Sequence, residues 1–231
     1  MPISEVYNID NMEYMKSIPN GYFDLAIVDP PYGLGDSVVN SGGRFKRYHN
    51  KNGNWDNEIP TDEYFSELFR ISKNQIIWGG NYFSLPPNKC FVIWDKLQPE
   101  GISFAMAEYA WCSFNSVAKI FRHRTQGQEK RFHPTQKPVE LYKWLLKNFA
   151  ECSECSGSGE VPSLTIDCDV QTCGKCKGIE VKIFDSHMGS QSSRIAAYDM
   201  GFSYYGCELD KDYFEAGNKR FELFKSQMKL F

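Results

Sequence analysis

Residues 180–210 read EVKIFDSHMGSQSSRIAAYDMGFSYYGCELD, and their rhythm decides the fold. EVKIFD (180–185) reads as a strand. SSRIAAYDMG (192–201) is helical in period, and Gly201 is a natural stop. YYGCEL (204–209) is a second strand, and DYFEAGNKRFELFKSQM (212–228) a second helix. Strands alternating with helices predict an α/β domain with a mostly parallel, doubly wound sheet.

The same pattern holds toward the N-terminus. FDLAIVDP (23–30), QIIWGG (75–80), CFVIWD (90–95) and EYAWCSF (108–114) are strand candidates. TDEYFSELFRISK (61–73) opens on Thr61 with early acids, and PVELYKWLLKNFA (138–150) opens on a proline suited to the first helical position. In the second helix Leu141, Trp144, Leu145 and Phe149 share a face. Two stretches break the rhythm. Residues 33–60 are rich in Gly, Asn and Ser and predict a mobile loop. Residues 151–178 hold five of the eight cysteines.

The chain has 231 residues, 42% of them hydrophobic, enough for one sizeable core: a single domain with an insert. A net charge of −3 excludes a polycation, so any nucleic-acid contact must come from local basic patches. No apolar run reaches the roughly 18–20 residues that span a bilayer, and the N-terminus has no signal pattern. The expectation is a soluble intracellular protein without membrane contact.

Chemistry is expected beyond the carboxyl ends of the strands, where open α/β sheets bind ligands. Asp29-Pro30-Pro31-Tyr32 stands at such an end. The prolines fix the turn and leave their carbonyls as acceptors. The Asp29 carboxylate and the Pro30 carbonyl can therefore face one NH2 group, with Tyr32 beneath a flat ring. Farther on, Gly189 and Ser190 allow close backbone approach at a helix N-terminus, which favours an anionic group. Glu208, 19 residues after Gly189, can take both hydroxyls of a ribose.

DPPY (29–32), HPTQKP (133–138) and the loop at 185–192 together resemble the amino-methylating DNA methyltransferases, in the permuted order often called the β class. The resemblance covers roughly residues 1–150 and 179–231. It implies a Rossmann-like class I methyltransferase fold, a doubly wound mostly parallel sheet with an antiparallel strand. It implies S-adenosylmethionine as methyl donor and the exocyclic N6 of a flipped-out adenine as acceptor. Asp29, Pro30, Pro31 and Tyr32 are then the catalytic corner. Asp10, His133, Thr135, Gln136, Lys137, Asp185, Ser186, Gly189, Ser190, Ser192 and Glu208 would face the cofactor. Asp10 reads equally as a helix cap. The cofactor loop departs from the family's DPFxGSGT: Ser186 and His187 replace Pro and Phe, and Gln191 replaces the second glycine. His187 reads as a loop-filling side chain.

DNA is the expected partner, through Arg44, Lys46 and Arg47 in RFKRYHNK and through Lys119, Arg122, Arg124, Lys130 and Arg131 in KIFRHRTQGQEKR. Residues 96–132 form a short target-recognition region, and a homodimer is an expected form. The resemblance implies a cytoplasmic enzyme of bacterial or phage-encoded type. It leaves a restriction partner open. N4-cytosine or RNA-base methylation, protein glutamine methylation and a non-catalytic DNA-binding role remain alternatives.

Cys152-x-x-Cys155 and Cys173-x-x-Cys176 have the spacing of a four-cysteine structural zinc site, and the first pair also resembles the knuckle of the J-domain cochaperones. Cys168 is a spare ligand. Cys90, Cys112 and Cys207 fall in predicted strands as plain core residues.

Overall fold

The computed structural model describes residues 2–33, 59–101, 105–124, 132–133, 135–150, 160–162, 170–172 and 180–228. The strands are β1 (Ser4–Tyr7), β2 (Phe23–Val28), β3 (Ser72–Trp78), β4 (Phe91–Asp95), β5 (Ala107–Cys112), β6 (Lys119–Arg122), β7 (Glu160–Pro162), β8 (Val170–Thr172), β9 (Lys182–Asp185) and β10 (Ser203–Cys207). The helices are α1 (Asn11–Lys16), α2 (Asp62–Ile71), α3 (Val139–Phe149), α4 (Ser192–Asp199) and α5 (Lys211–Met228).

Eight strands form one sheet in the order β1-β10-β9-β2-β3-β5-β4-β6. All pairings are parallel except those of β5, which runs antiparallel to both β3 and β4. From β2 the chain winds through α2 to β3, and from β9 it winds the other way through α4 to β10. The order therefore reverses between β2 and β9, and a crevice opens beyond their carboxyl ends.

Alternating side chains feed two apolar layers. Leu25, Ile27, Ile76 and Trp78 meet Leu141 and Leu145 of α3 and Ile195 and Ala196 of α4 on one face. Ala26, Val28 and Ile77 meet Met15 of α1 and Tyr64, Leu68 and Ile71 of α2 on the other. Each fully buried side chain of this size contributes about 1.5–3 kcal/mol. Thr61 caps α2 as its sequence announces.

Three details differ from the sequence reading. Pro138 is the cap of α3 rather than its first residue, because its ψ of 145° is still extended. Lys119–Arg122, read only as a basic stretch, is an edge strand beside β4. Within the cysteine-rich insert, β7 and β8 pair antiparallel. Cys90, Cys112 and Cys207 are free and buried, as expected. No helix among the described residues is long and apolar enough to cross a membrane.

Candidate active site

The turn after β2 sets Asp29 at the carboxyl edge of the sheet. Its Oδ1 accepts from the Tyr32 hydroxyl at 2.5 Å, and its Oδ2 accepts from the Lys137 ammonium. Lys137 also lies 3.2 Å from Glu108 Oε2, and Lys96 lies 2.6 Å from Glu108 Oε1. Burial pulls the Lys137 ammonium down, but the Asp29 and Glu108 carboxylates outweigh it and hold lysine above its ordinary range. Burial likewise raises Glu108, and Lys137 and Lys96 more than reverse it.

Tyr32 is held on two sides. Its ring stacks on Tyr82 with centroids 5.0 Å apart, and its hydroxyl is spent on Asp29. Gly79 makes this possible: a side chain there would run into the Tyr32 ring. Tyr82 thus covers one face of the Tyr32 ring. Pro30 is buried behind the corner.

Beyond β9 the loop is built on hydrogen bonds. Gly189 N and Asp210 N donate to the two oxygens of Glu208 at 2.8 and 3.0 Å, so backbone donors orient that carboxylate. Ser186 Oγ is 2.6 Å from Tyr64 Oη and 2.9 Å from His187 Nδ1. Asn11 Nδ2 donates to His187 Nε2 at 3.0 Å, which puts the ring proton on Nδ1. Burial lowers His187 to about 4, so the ring is neutral at pH 7. Burial also lowers His133 to about 4.

Gln191 takes φ +58°. Its amide turns away into α5, donating to Asn218 Oδ1 (3.1 Å) and Phe214 O (3.3 Å) and accepting from Arg194 (2.9 Å).

One cavity of about 660 Å³ gathers these pieces. Of the sequence candidates, Asp29, Pro31, His133, Thr135, Lys137, Ser186, Gly189, Ser190 and Glu208 line it. Asp10, Pro30, Tyr32, Gln136, Asp185 and Ser192 stand outside its wall. Asp10 caps α1: its Oδ1 accepts from Met12 N and Glu13 N. Asp185 accepts from His187 N and Ser193 Oγ, and burial pushes it up to about 7. Asn11, His187 and Tyr142 also line the cavity.

Lys119, Arg122 and Arg124 lie along the β6 edge, with Arg122 and Arg124 exposed and Arg122 only 3.5 Å from Asp95. Arg44, Lys46, Arg47, Lys130, Arg131, Cys152, Cys155, Cys173 and Cys176 lie outside the described residues. Among the described residues no group of His, Cys, Asp or Glu could hold a metal ion.

No protein-family model and no curated protein matches the chain. Solved structures do. M1.HpyAVI, in a complex with SAM, superposes with TM-score 0.54 at 16% identity, over 94% of this chain and 98% of that one. TTHA0409 of Thermus thermophilus, complexed with S-adenosyl-L-methionine, gives 0.55 at 16% identity, over 96% and 94%. The PvuII DNA methyltransferase, cytosine-N4-specific, gives 0.55 at 12% identity, over 97% and 92%. At such identities the likeness shows the fold alone: an α/β domain on a mostly parallel sheet, shared with these methyltransferases.

Proposed function

We propose that the protein transfers a methyl group from S-adenosylmethionine to the exocyclic N6 of a flipped-out adenine in DNA. One observation carries the reading: a single cavity holds both an amine acceptor, Asp29, and a ribose-type carboxylate, Glu208, oriented by backbone donors.

The residues fit the cofactor. Glu208 keeps acceptor sites for two hydroxyls, and Ile9 and Leu209 flank the same cavity with apolar surface for a purine. Ser186, Gly189 and Ser190 supply the close backbone loop. When bound, S-adenosylmethionine supplies an already activated methyl group. What remains for the protein is position and local charge, because the adenine amine is a poor nucleophile with its lone pair delocalised into the ring. Asp29 accepts from the amine and draws it into the attacking geometry. Tyr32 steadies the carboxylate through its hydroxyl. The target base has to leave the duplex to reach this corner. Arg122 and Arg124 at the sheet edge offer phosphate contacts. Cys152, Cys155, Cys173 and Cys176 are proposed to hold a structural zinc, with the β7–β8 hairpin lying between the two pairs in sequence.

The test is methyl transfer from isotopically labelled S-adenosylmethionine to unmethylated DNA, with an RNA control, followed by digestion and mass spectrometry of the nucleosides. Labelled N6-methyladenine in DNA is expected. N4-methylcytosine would move the reading to the cytosine enzymes, label in RNA alone would change the polymer, and no label at all would overturn the enzyme.

A further inference from the structure

Asp29 ends a row of four largely buried charges of alternating sign. Lys137 bridges Asp29 and Glu108, and Lys96 closes the row on Glu108. Four separate segments supply them: the turn after β2, the lead-in to α3, strand β5 and the residue following β4. The Lys137 side chain is only 3% exposed and lies 5.2 Å from the centre of the Trp78 ring.

Packing does not ask for this row. Glu108 shares its strand face with Ala110 and Cys112, both fully buried and apolar or nearly so. Charges buried at such places cost desolvation that their pairing seldom exceeds, and apolar residues would fold as well. Glu108 is also absent from the cavity wall. A carboxylate there makes sense through what it does to Lys137.

Without Glu108 the Lys137 ammonium, on a flexible stem with three donors, would turn wholly onto Asp29 and compete with the amine for its oxygens. Glu108 draws part of that ammonium aside. It also balances charge: two lysines and two carboxylates sum to zero. An amine that turns cationic as it is methylated then meets no net positive charge behind Asp29. We propose that Glu108 is a positioning residue which, backed by Lys96, fixes how Lys137 meets Asp29 and so which acceptor sites Asp29 turns toward the amine.

The inference rests on the methyltransferase reading, and the experiment separates the two. Wild type, Glu108→Gln and Glu108→Asp, all full length, are compared in methyl transfer to DNA, in S-adenosylmethionine binding by calorimetry, in thermal unfolding and in crystal structures. Glu108→Gln is expected to lower kcat roughly tenfold or more, the scale of a misplaced reacting group. Cofactor Kd is expected to stay within about threefold, since uniform binding is untouched. Glu108→Asp should recover part of kcat, and Asp29 should turn from Tyr32 in the Glu108→Gln crystal. Unchanged kcat with Asp29 in place overturns the inference. So does a loss of activity, cofactor binding and thermal stability together that Asp fails to rescue. If the wild type methylates no polymer, the functional reading falls, and the crystals alone decide: a turned Asp29 keeps the positioning role, an unmoved one removes it.

Discussion

The Gln191 side chain lies against Gly217 so closely that a Cβ on Gly217 would stand 2.7 Å from its Cγ and Nε2. Helix propensity alone favours alanine over glycine by about 1 kcal/mol in mid-helix. Here Gln191 cannot yield without losing Asn218, Phe214 and Arg194. Gly217→Ala should therefore destabilise, by about 1–3 kcal/mol. Gln191→Ala in the same chain should remove the penalty. Denaturant melts of the two single variants and the double variant check this coupling; additive effects would refute it.

Asp29→Ala should lower methyl transfer by roughly 10²–10³-fold, the scale of removing one preorganised group from a reacting centre. Cofactor affinity should hold, because Glu208 and the Gly189 loop are untouched. Single-turnover rates with calorimetric binding separate the two quantities. A variant near wild-type rate would show that the corner does not carry the chemistry.

Glu208→Ala should do the reverse. It removes a charged acceptor pair from the proposed ribose, worth about 1.5–3 kcal/mol. That weakens S-adenosylmethionine binding roughly tenfold to a hundredfold. Calorimetry reads it directly, and an unchanged Kd would place the ribose elsewhere.

Asp185 gives a pH signature. Burial raises its folded pKa to about 7 from an ordinary 3.8. Between those values the native state keeps a proton that the unfolded chain has lost, so this group's contribution to stability falls as pH rises, then levels off above 7. Asp185→Asn cannot titrate. Its stability relative to wild type should climb by about 1.4 kcal/mol per pH unit across that window. Denaturant titrations from pH 4 to 8 test it, and a flat difference would mean that Asp185 is ionised throughout.

If the four cysteines at 152, 155, 173 and 176 hold zinc, purified protein should carry one equivalent by elemental analysis. Cysteine substitution at any of the four should release it. A strong chelator should loosen the insert, seen as faster proteolysis there, because small metal-held segments lose their fold with the ion. Zinc-free protein with an unchanged digest would end the proposal.

Short-range order was legible. DPPY and the 180–210 unit announce their elements because apolar runs, caps and breakers act within a few residues. An antiparallel strand was expected, but not that β5 is that strand, and with it Glu108 escaped notice: its meeting with Lys137 depends on sheet order, not spacing. The neighbour of Tyr32 was hidden for a related reason. Nothing in DPPY says that Tyr82, fifty positions on, will lie against its ring. The basic run at 119 hid an edge strand because its charges drown a four-residue alternation. Asp10 was ambiguous in principle, since a capping acid and a ligand acid are the same residue until the first turn of α1 is seen.

The sheet knits the beginning of the chain to its end. Ser4 pairs with Tyr204, and the central strand β2 pairs with β9 across more than a hundred and fifty intervening residues. A growing polypeptide therefore leaves the ribosome with β1 unpaired and one edge of β2 bare until β9 and β10 are made. Loop closure over that span makes folding slow, and bare strand edges in the meantime invite sticking between chains. Fragments stopped before residue 180 should collect as insoluble material, and helper proteins that shield such edges during synthesis should raise the yield.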